Sequence, residues 1–134
     1  MAAKKQTLST LLLDAVLRNA TYTGPVGVYA ALYTVAPTAT TNGTEVPTAG
    51  ATLYARTLIP LGTAAAAGSI ANDGAVDFPI AGVAWGDCVA AAICAADVEG
   101  VGDHLYFGNL TVHKDVGVGD QLSFAIGALS VSES

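Results

Sequence analysis

Charged side chains are scarce in this chain of 134 residues. Only 12% of them are Asp, Glu, Lys or Arg, whereas 52% are apolar. Soluble domains commonly contain about a quarter charged residues. A surface with so few charges consists largely of Thr, Ser, Gly and Ala, or it is covered by other molecules. Because exposed apolar area usually marks an interface, the composition predicts a protein that works as an oligomer or within an assembly.

Cations are the scarcer of the two charge types. Five Lys and Arg stand against eleven Asp and Glu, which gives a net charge of −6. This balance argues against direct nucleic-acid binding, which needs clustered Lys and Arg. Residues 1–57 contain four cations and two acids (net +2), while residues 58–134 contain one cation and nine acids (net −8). Halves of opposite sign favour contacts between neighbouring copies. Chance placement of charges on two solvated surfaces explains the uneven distribution equally well.

Long apolar runs and cysteine pairs are also missing. No apolar stretch approaches the ~18 residues of a membrane span, and Asp14 interrupts the apolar core that a signal peptide would need. We therefore expect a protein made and kept in a cytoplasm, without a membrane partner. Cys88 and Cys94 lie in one predicted strand, about 20 Å apart at ~3.3 Å per residue. That distance is too long for a disulfide, so we expect two small buried side chains.

Catalytic and metal-binding patterns are absent from the sequence. His104 and His113 are the two histidines, and roughly 30 Å separates them if they share a strand. No Gly-x-Ser-x-Gly sequence and no zinc-like Cys or His spacing occurs. Asp97, Glu99 and Asp103 could bind calcium, but ordinary turn chemistry accounts for them too. His113, Lys114 and Asp115 are expected to form a solvated turn. We predict that the protein is not an enzyme and has no cofactor.

An octet that occurs twice is the clearest pattern that the sequence contains. Gly100-Val101-Gly102-Asp103-His104-Leu105-Tyr106-Phe107 is followed by Gly117-Val118-Gly119-Asp120-Gln121-Leu122-Ser123-Phe124. Each copy begins with turn residues, since Gly adopts positive φ freely and Asp bonds to nearby backbone, and continues as an alternating strand. The octets predict turns of successive hairpins, with Phe107 and Phe124 in a shared core.

The rest of the chain predicts an all-β protein with one short helix. The helix is capped by Thr7 or Ser9, presents Leu8, Leu12, Ala15 and Val16 on one face, and ends at 19–21. A polar loop spans 36–50, and Asn72-Asp73-Gly74 marks a tight turn. The predicted strands cover 26–35, 52–59, 61–67, 75–78, 88–95, 104–112, 121–126 and 128–132.

These elements favour an antiparallel β-sandwich or jelly-roll-like fold of about eight strands. Residues 1–24 would form an N-terminal arm and helix, and residues 25–134 the β-sandwich domain. The arm lies on the sandwich, lies on a neighbouring copy, or is loosely held. Arg56, next to Tyr54, either pairs with an acid across a subunit boundary or lies on the surface of a strand.

Short motifs follow one another in a specific order along the chain. They include Val28-Tyr29-Ala30-Ala31-Leu32-Tyr33-Thr34-Val35-Ala36-Pro37-Thr38, Gly43-Thr44-Glu45-Val46, Tyr54-Ala55-Arg56, Val76-Asp77-Phe78-Pro79, Trp85-Gly86 and Leu105-Tyr106-Phe107-Gly108. Leu110, Lys114, Val116, Gly119-Asp120 and Phe124 complete the series. In this order the motifs resemble a family of small virion proteins of tailed bacteriophages that are often labelled tail fibre proteins. Related small β-sandwich proteins serve as capsid decoration, or cement, proteins.

The resemblance implies a structural role with many identical copies on a phage particle. We expect a capsid decoration protein that binds the major capsid protein and itself, as a homodimer or homotrimer, and stabilises the head. The expected interface residues are Lys4, Lys5, Arg18 and Arg56. The alternative is a tail-fibre or tail-tip module that binds a host surface through the loop 36–50 and exposed tyrosines. A chain of this length is short for a fibre with a long shaft, which favours the capsid.

Overall fold

The computed structural model describes residues 3–48, 50–98 and 104–133, and within them the chain forms ten strands and one helix. The strands are Ala3–Lys4 (β1), Tyr29–Val35 (β2), Thr44–Glu45 (β3), Thr57–Leu58 (β4), Ser69–Ala71 (β5), Val76–Asp77 (β6), Gly86–Cys94 (β7), His104–Val116 (β8), Ser123–Phe124 (β9) and Ser130–Ser132 (β10), and the helix α1 spans Gln6–Leu17. All the strand pairs are antiparallel. The predicted all-β class is confirmed.

Six strands form the main sheet, in the order β1-β8-β7-β2-β3, with β4 also paired to β2. The central strands β2 and β7 are rich in small apolar residues, so both of their faces can be closely covered. In β2, Ala30 and Leu32 enter the larger core cluster, while Ala31 and Tyr33 enter a smaller one. This period of two is the alternation that a pleated strand imposes on its side chains.

The larger core cluster joins the main sheet to two short ribbons. The ribbon β5–β10 contributes Val131, and the ribbon β6–β9 contributes Val76 with Phe124 packed beside it. At the centre, the Phe78 ring stands edge-on to Phe124 with centroids 6.1 Å apart. The second layer is therefore built from two ribbons packed on one face of the main sheet.

Several predicted strands are shorter than expected or displaced. The segment 52–59 contains only β4, because Leu53 adopts a φ of +59° that takes the chain out of extended conformation. No strand occurs in 61–67, and β5 begins at Ser69 instead. The polar loop 36–50 contains β3, which pairs with β2.

The chain bends at Asn72-Asp73-Gly74, where a tight turn is predicted, but the hairpin predicted at the second octet does not form. The chain bends after β5, but β5 pairs with β10 and β6 pairs with β9. Asn72 is buried and donates to the carbonyls of Gly74 and Ala125, which holds the bend against a distant segment. The second octet does turn at 117–120, yet β9 leaves β8 to pair with β6.

The two octets also fail to share a core. Phe107 packs against the smaller cluster, which contains Ala31 and Tyr33, whereas Phe124 packs against the larger one. The difference arises because Phe107 points away from the face of the main sheet that the ribbons cover. The first copy's turn, 100–103, lies outside the described residues.

β8 extends beyond its predicted end. Asn109 pairs with Ala90 and Lys114 pairs with Cys88, so four residues of β8 lie opposite Val89 alone. This excess forms a bulge, at which the register between β7 and β8 shifts. The predicted turn at His113, Lys114 and Asp115 is wrong, since these exposed residues belong to β8.

The arm lies on its own sheet, where Ala3 pairs with Phe107 and Lys4 with Tyr106. α1 begins before the predicted caps, and its N-cap residue, Lys5, makes no capping bond through its side chain. The Ser9 hydroxyl instead donates back to the Lys5 carbonyl. The helix ends at Leu17, and Leu8 is the one buried residue in it.

Candidate interaction surface

Three side chains connect the N-terminal arm to the end of the chain. The Lys4 ammonium lies 2.8 Å from Glu133 Oε2, and the Tyr106 hydroxyl donates to Glu133 Oε1 at 3.0 Å. Hydrogen bonds from Lys4 and then Tyr106 lower the pKa of Glu133. Burial, followed by the bond to Glu133, raises the pKa of Tyr106 to about 12. We call these three residues the arm latch, because they hold β1 beside β8.

The other predicted interface cations flank α1 or lie inside the protein. Lys5 precedes α1, and its backbone N–H donates to the Leu105 carbonyl at 3.0 Å. Arg18 follows α1, and its exposed side chain lies 3.2 Å from Asp14 Oδ1. Lys4, Lys5 and Arg18 thus lie at the two ends of one surface helix.

Arg56 is not a surface residue of a strand. Its side chain is 0% exposed and lies 2.8 Å from Glu45 Oε1 in the same chain. The guanidinium donates a second bond to Glu45 Oε2 at 2.9 Å and a third to the Ala96 carbonyl at 2.8 Å. The pair is intramolecular, so Arg56 presents no side-chain surface to another subunit.

Tyr54 completes this buried cluster. Its hydroxyl donates to Glu45 Oε2 at 2.7 Å and accepts from the Leu32 N–H at 3.0 Å. Burial, and then the negative charge of Glu45, raise the pKa of Tyr54 far above its usual range. The cluster joins β3, the segment before β4 and strand β2, and its role is structural.

Many large apolar side chains are exposed on the part of the chain that the structure describes. On α1, Val16 is 78% exposed and Leu17 is 75% exposed. A groove of about 520 Å³ runs between this helix and the arm latch. Other large apolar side chains are exposed away from α1: Val26, Leu53, Leu58, Ile80, Val112, Val118 and Ile126. Contiguous exposed apolar side chains, as on α1 beside this groove, are typical of surfaces that contact other proteins, whereas single scattered ones are common on any protein.

The exposed tyrosines expected of a host-binding surface are not found. Tyr33 and Tyr54 are buried, and the other three tyrosines are only partly exposed. The described residues of the loop 36–50 are mostly exposed, and hydrogen bonds between Thr38 and Thr41 order its first turn.

The residues with potential for chemistry are dispersed. His104 is buried, with Nε2 3.0 Å from the Thr38 carbonyl, and His113 lies 3.5 Å from Asp87 Oδ2. Both cysteines are unbridged and buried, as predicted, and burial raises the pKa of Cys88 to about 11.

Neither a group of metal-binding side chains nor a membrane-spanning helix occurs among the described residues. Across 3–48, 50–98 and 104–133, no three His, Cys, Asp or Glu side chains are grouped to hold a metal ion. Glu99 and Asp103 of the calcium hypothesis lie outside these ranges. No helix in the same ranges is long and apolar enough to cross a membrane.

Residues 3–132 match the protein family described as Podophage GP4 fiber I protein gp80. The chain belongs to this family. The predicted resemblance to small virion proteins of tailed phages is therefore confirmed, and the protein is a structural component of a phage virion. No curated protein sequence matches the chain.

Proposed function

We propose that this protein is a structural subunit on the outside of a podophage particle, where it contributes to a fibre of the kind named in the family description. The family match over residues 3–132 carries the proposal. The exposed apolar side chains support it, because a protein with few charges gains free energy by covering such surface in an assembly. Binding to the particle would in turn stabilise the folded protein by mass action.

Capsid decoration is a second candidate, in which the protein binds the major capsid protein and itself and strengthens the shell. It is supported by the short elements of the described residues: the longest strand, β8, has 13 residues, and nothing in these residues resembles an extended shaft. In this role, Lys4, Lys5 and Arg18 would contact an acidic surface of the capsid or of a second copy.

Immunogold electron microscopy of purified particles distinguishes the two candidates. Antibodies against this protein should label fibres at the tail, with particles from a deletion phage as the unlabelled control. Label spread over the shell would overturn the fibre assignment and support capsid decoration. Particles without label at either place would overturn both.

A further inference from the structure

Asn42 and Gly43 form the one Asn-Gly pair in the sequence. In such a pair the backbone nitrogen of the glycine attacks the side-chain amide carbon of the asparagine and closes a succinimide ring. The reaction is fastest before glycine, because glycine has no Cβ atom to obstruct the approach and its backbone turns freely. It also requires an asparagine side chain and a backbone N–H that other groups do not hold.

The structure leaves both reacting groups accessible. Asn42 and Gly43 are exposed, and they lie in the loop directly before β3. Among the described residues, no hydrogen bond holds the Asn42 side chain or the Gly43 N–H. The ring can therefore close without the loss of a contact that stabilises the fold.

Asn72 has the opposite environment. It is 2% exposed, and its amide nitrogen donates to the carbonyls of Gly74 and Ala125. Its amide oxygen accepts from the Leu129 N–H at 3.0 Å. An amide that is held in this way reacts only when its segment opens locally. Asn42 and Asn72 thus provide an accessible and a protected asparagine in one molecule.

The backbone requires a glycine at position 43. Its φ is +65°, and a Cβ atom added there would lie 2.4 Å from the Val35 carbonyl oxygen and 2.7 Å from the Pro37 nitrogen. Both distances are shorter than those that real Cβ atoms show, and both neighbours are backbone atoms. The residue that makes Asn42 reactive is therefore fixed by the fold of the loop.

We propose that Asn42 is a site of spontaneous deamidation. The Gly43 nitrogen loses its proton to water and bonds to Cγ of Asn42, and the side-chain nitrogen takes up a proton and leaves as ammonia. Water then opens the succinimide at either carbonyl carbon, which gives aspartate or isoaspartate. The reaction belongs to the isolated protein, so the inference goes beyond the proposed function and does not rest on it.

The isoaspartate product changes the course of the main chain. It routes the backbone through the former side chain and adds one carbon directly before Gly43, where backbone atoms already crowd the loop. The displacement is passed to β3, which begins at the next residue. β3 contains Glu45, whose buried carboxylate binds Arg56 and Tyr54. A shift of Glu45 weakens a buried ion pair, which destabilises the protein.

Peptide mass spectrometry of purified protein, incubated for several weeks in mildly alkaline buffer, tests the site. Asn42 should be converted at least roughly tenfold faster than Asn72, which has to wait for local opening. Electron-transfer fragmentation distinguishes the aspartate and isoaspartate products. N42Q is the matched control, because glutamine keeps an exposed amide but would have to close a larger ring. Residue 42 should stay unmodified in N42Q.

Thermal unfolding of the same samples tests the consequence. The midpoint of the incubated wild type should fall by several degrees as isoaspartate accumulates, whereas that of incubated N42Q should not change. Fresh N42D has the added charge but a normal main chain, so it should unfold at the wild-type midpoint. Equal conversion of Asn42 and Asn72 would overturn the site. Complete conversion to isoaspartate at an unchanged midpoint would overturn the link to β3.

Discussion

At the scale of single residues, the Glu45–Arg56 ion pair shows that charged side chains can be almost completely removed from solvent. Both side chains are almost completely buried, and Tyr54 and the Ala96 carbonyl provide further hydrogen bonds. Taking two charges out of water is expensive, and only dense hydrogen bonding offsets it. The sequence contains both residues, eleven positions apart, but nothing in that spacing indicates that they meet. The fold brings them together because β3 and β4 pair with successive parts of the same strand, β2, and Arg56 lies directly before β4.

Breaking this pair should be costly, whereas replacing it should not. We expect R56M to lower the free energy of unfolding by about 3–5 kcal/mol, because it leaves the Glu45 carboxylate buried without its cation. The double variant R56M/E45M should recover a large part of that loss. Urea denaturation measures both. K4M, which removes an exposed pair, is the control and should cost less than about 1 kcal/mol. Equal losses for R56M and K4M would contradict the assignment.

At the scale of elements, α1 is attached to the sheet by few contacts. Leu8 is its one buried residue, no acid lies in its first turn and no base in its last, and no side chain caps its N-terminus. The sequence correctly predicts a helix here, because the apolar spacing is helical. It does not show which of the apolar residues are covered, and Leu13 is 60% exposed although Leu8 is only 4% exposed. Only the position of the helix on the sheet decides that difference.

Truncating Leu8 should detach the helix from the sheet. In L8A we expect the amides of α1 to exchange with solvent at least tenfold faster, because a buried Leu to Ala change costs about 2–5 kcal/mol. Amides in β2 and β7 should keep their protection. Hydrogen–deuterium exchange with mass spectrometry measures both sets. L13A is the control and should change exchange in α1 very little. Equal effects of L8A and L13A would show that Leu8 is not the anchor.

For the strands and turns too, the sequence predicts the local structure but not the segments that pack against it. Alternation and apolar runs correctly predict β2, β7 and the first part of β8. Turn chemistry correctly predicts that the chain bends at Asn72-Asp73-Gly74, whereas at the second octet it wrongly predicts a hairpin. A turn sequence specifies local backbone geometry, whereas the partner of each strand depends on which distant segment covers its apolar face. Here β6 and β9 are brought together by the packing of Phe78 on Phe124.

At the scale of the whole molecule, the uneven charge yields a test of binding. The three exposed or partly exposed cations Lys4, Lys5 and Arg18 lie around α1. If they contact an acidic surface on the particle, K4E/K5E/R18E should reduce the copy number per particle several-fold. The control K4E/E133K inverts the arm latch and keeps its ion pair, so a loss confined to the triple variant identifies the contact. A triple variant with a wild-type copy number would refute the role of these cations.

The sequence by itself determined the all-β class, the terminal helix, the buried cysteines and membership of a phage virion family. These properties follow from composition, local periodicity and the order of short motifs along the chain. Only the tertiary structure decided that Arg56 is internal, that Phe107 and Phe124 lie in different clusters, and that Leu53 is strained and exposed. Burial and backbone strain arise from contacts between segments far apart in the chain, and no local pattern carries that information.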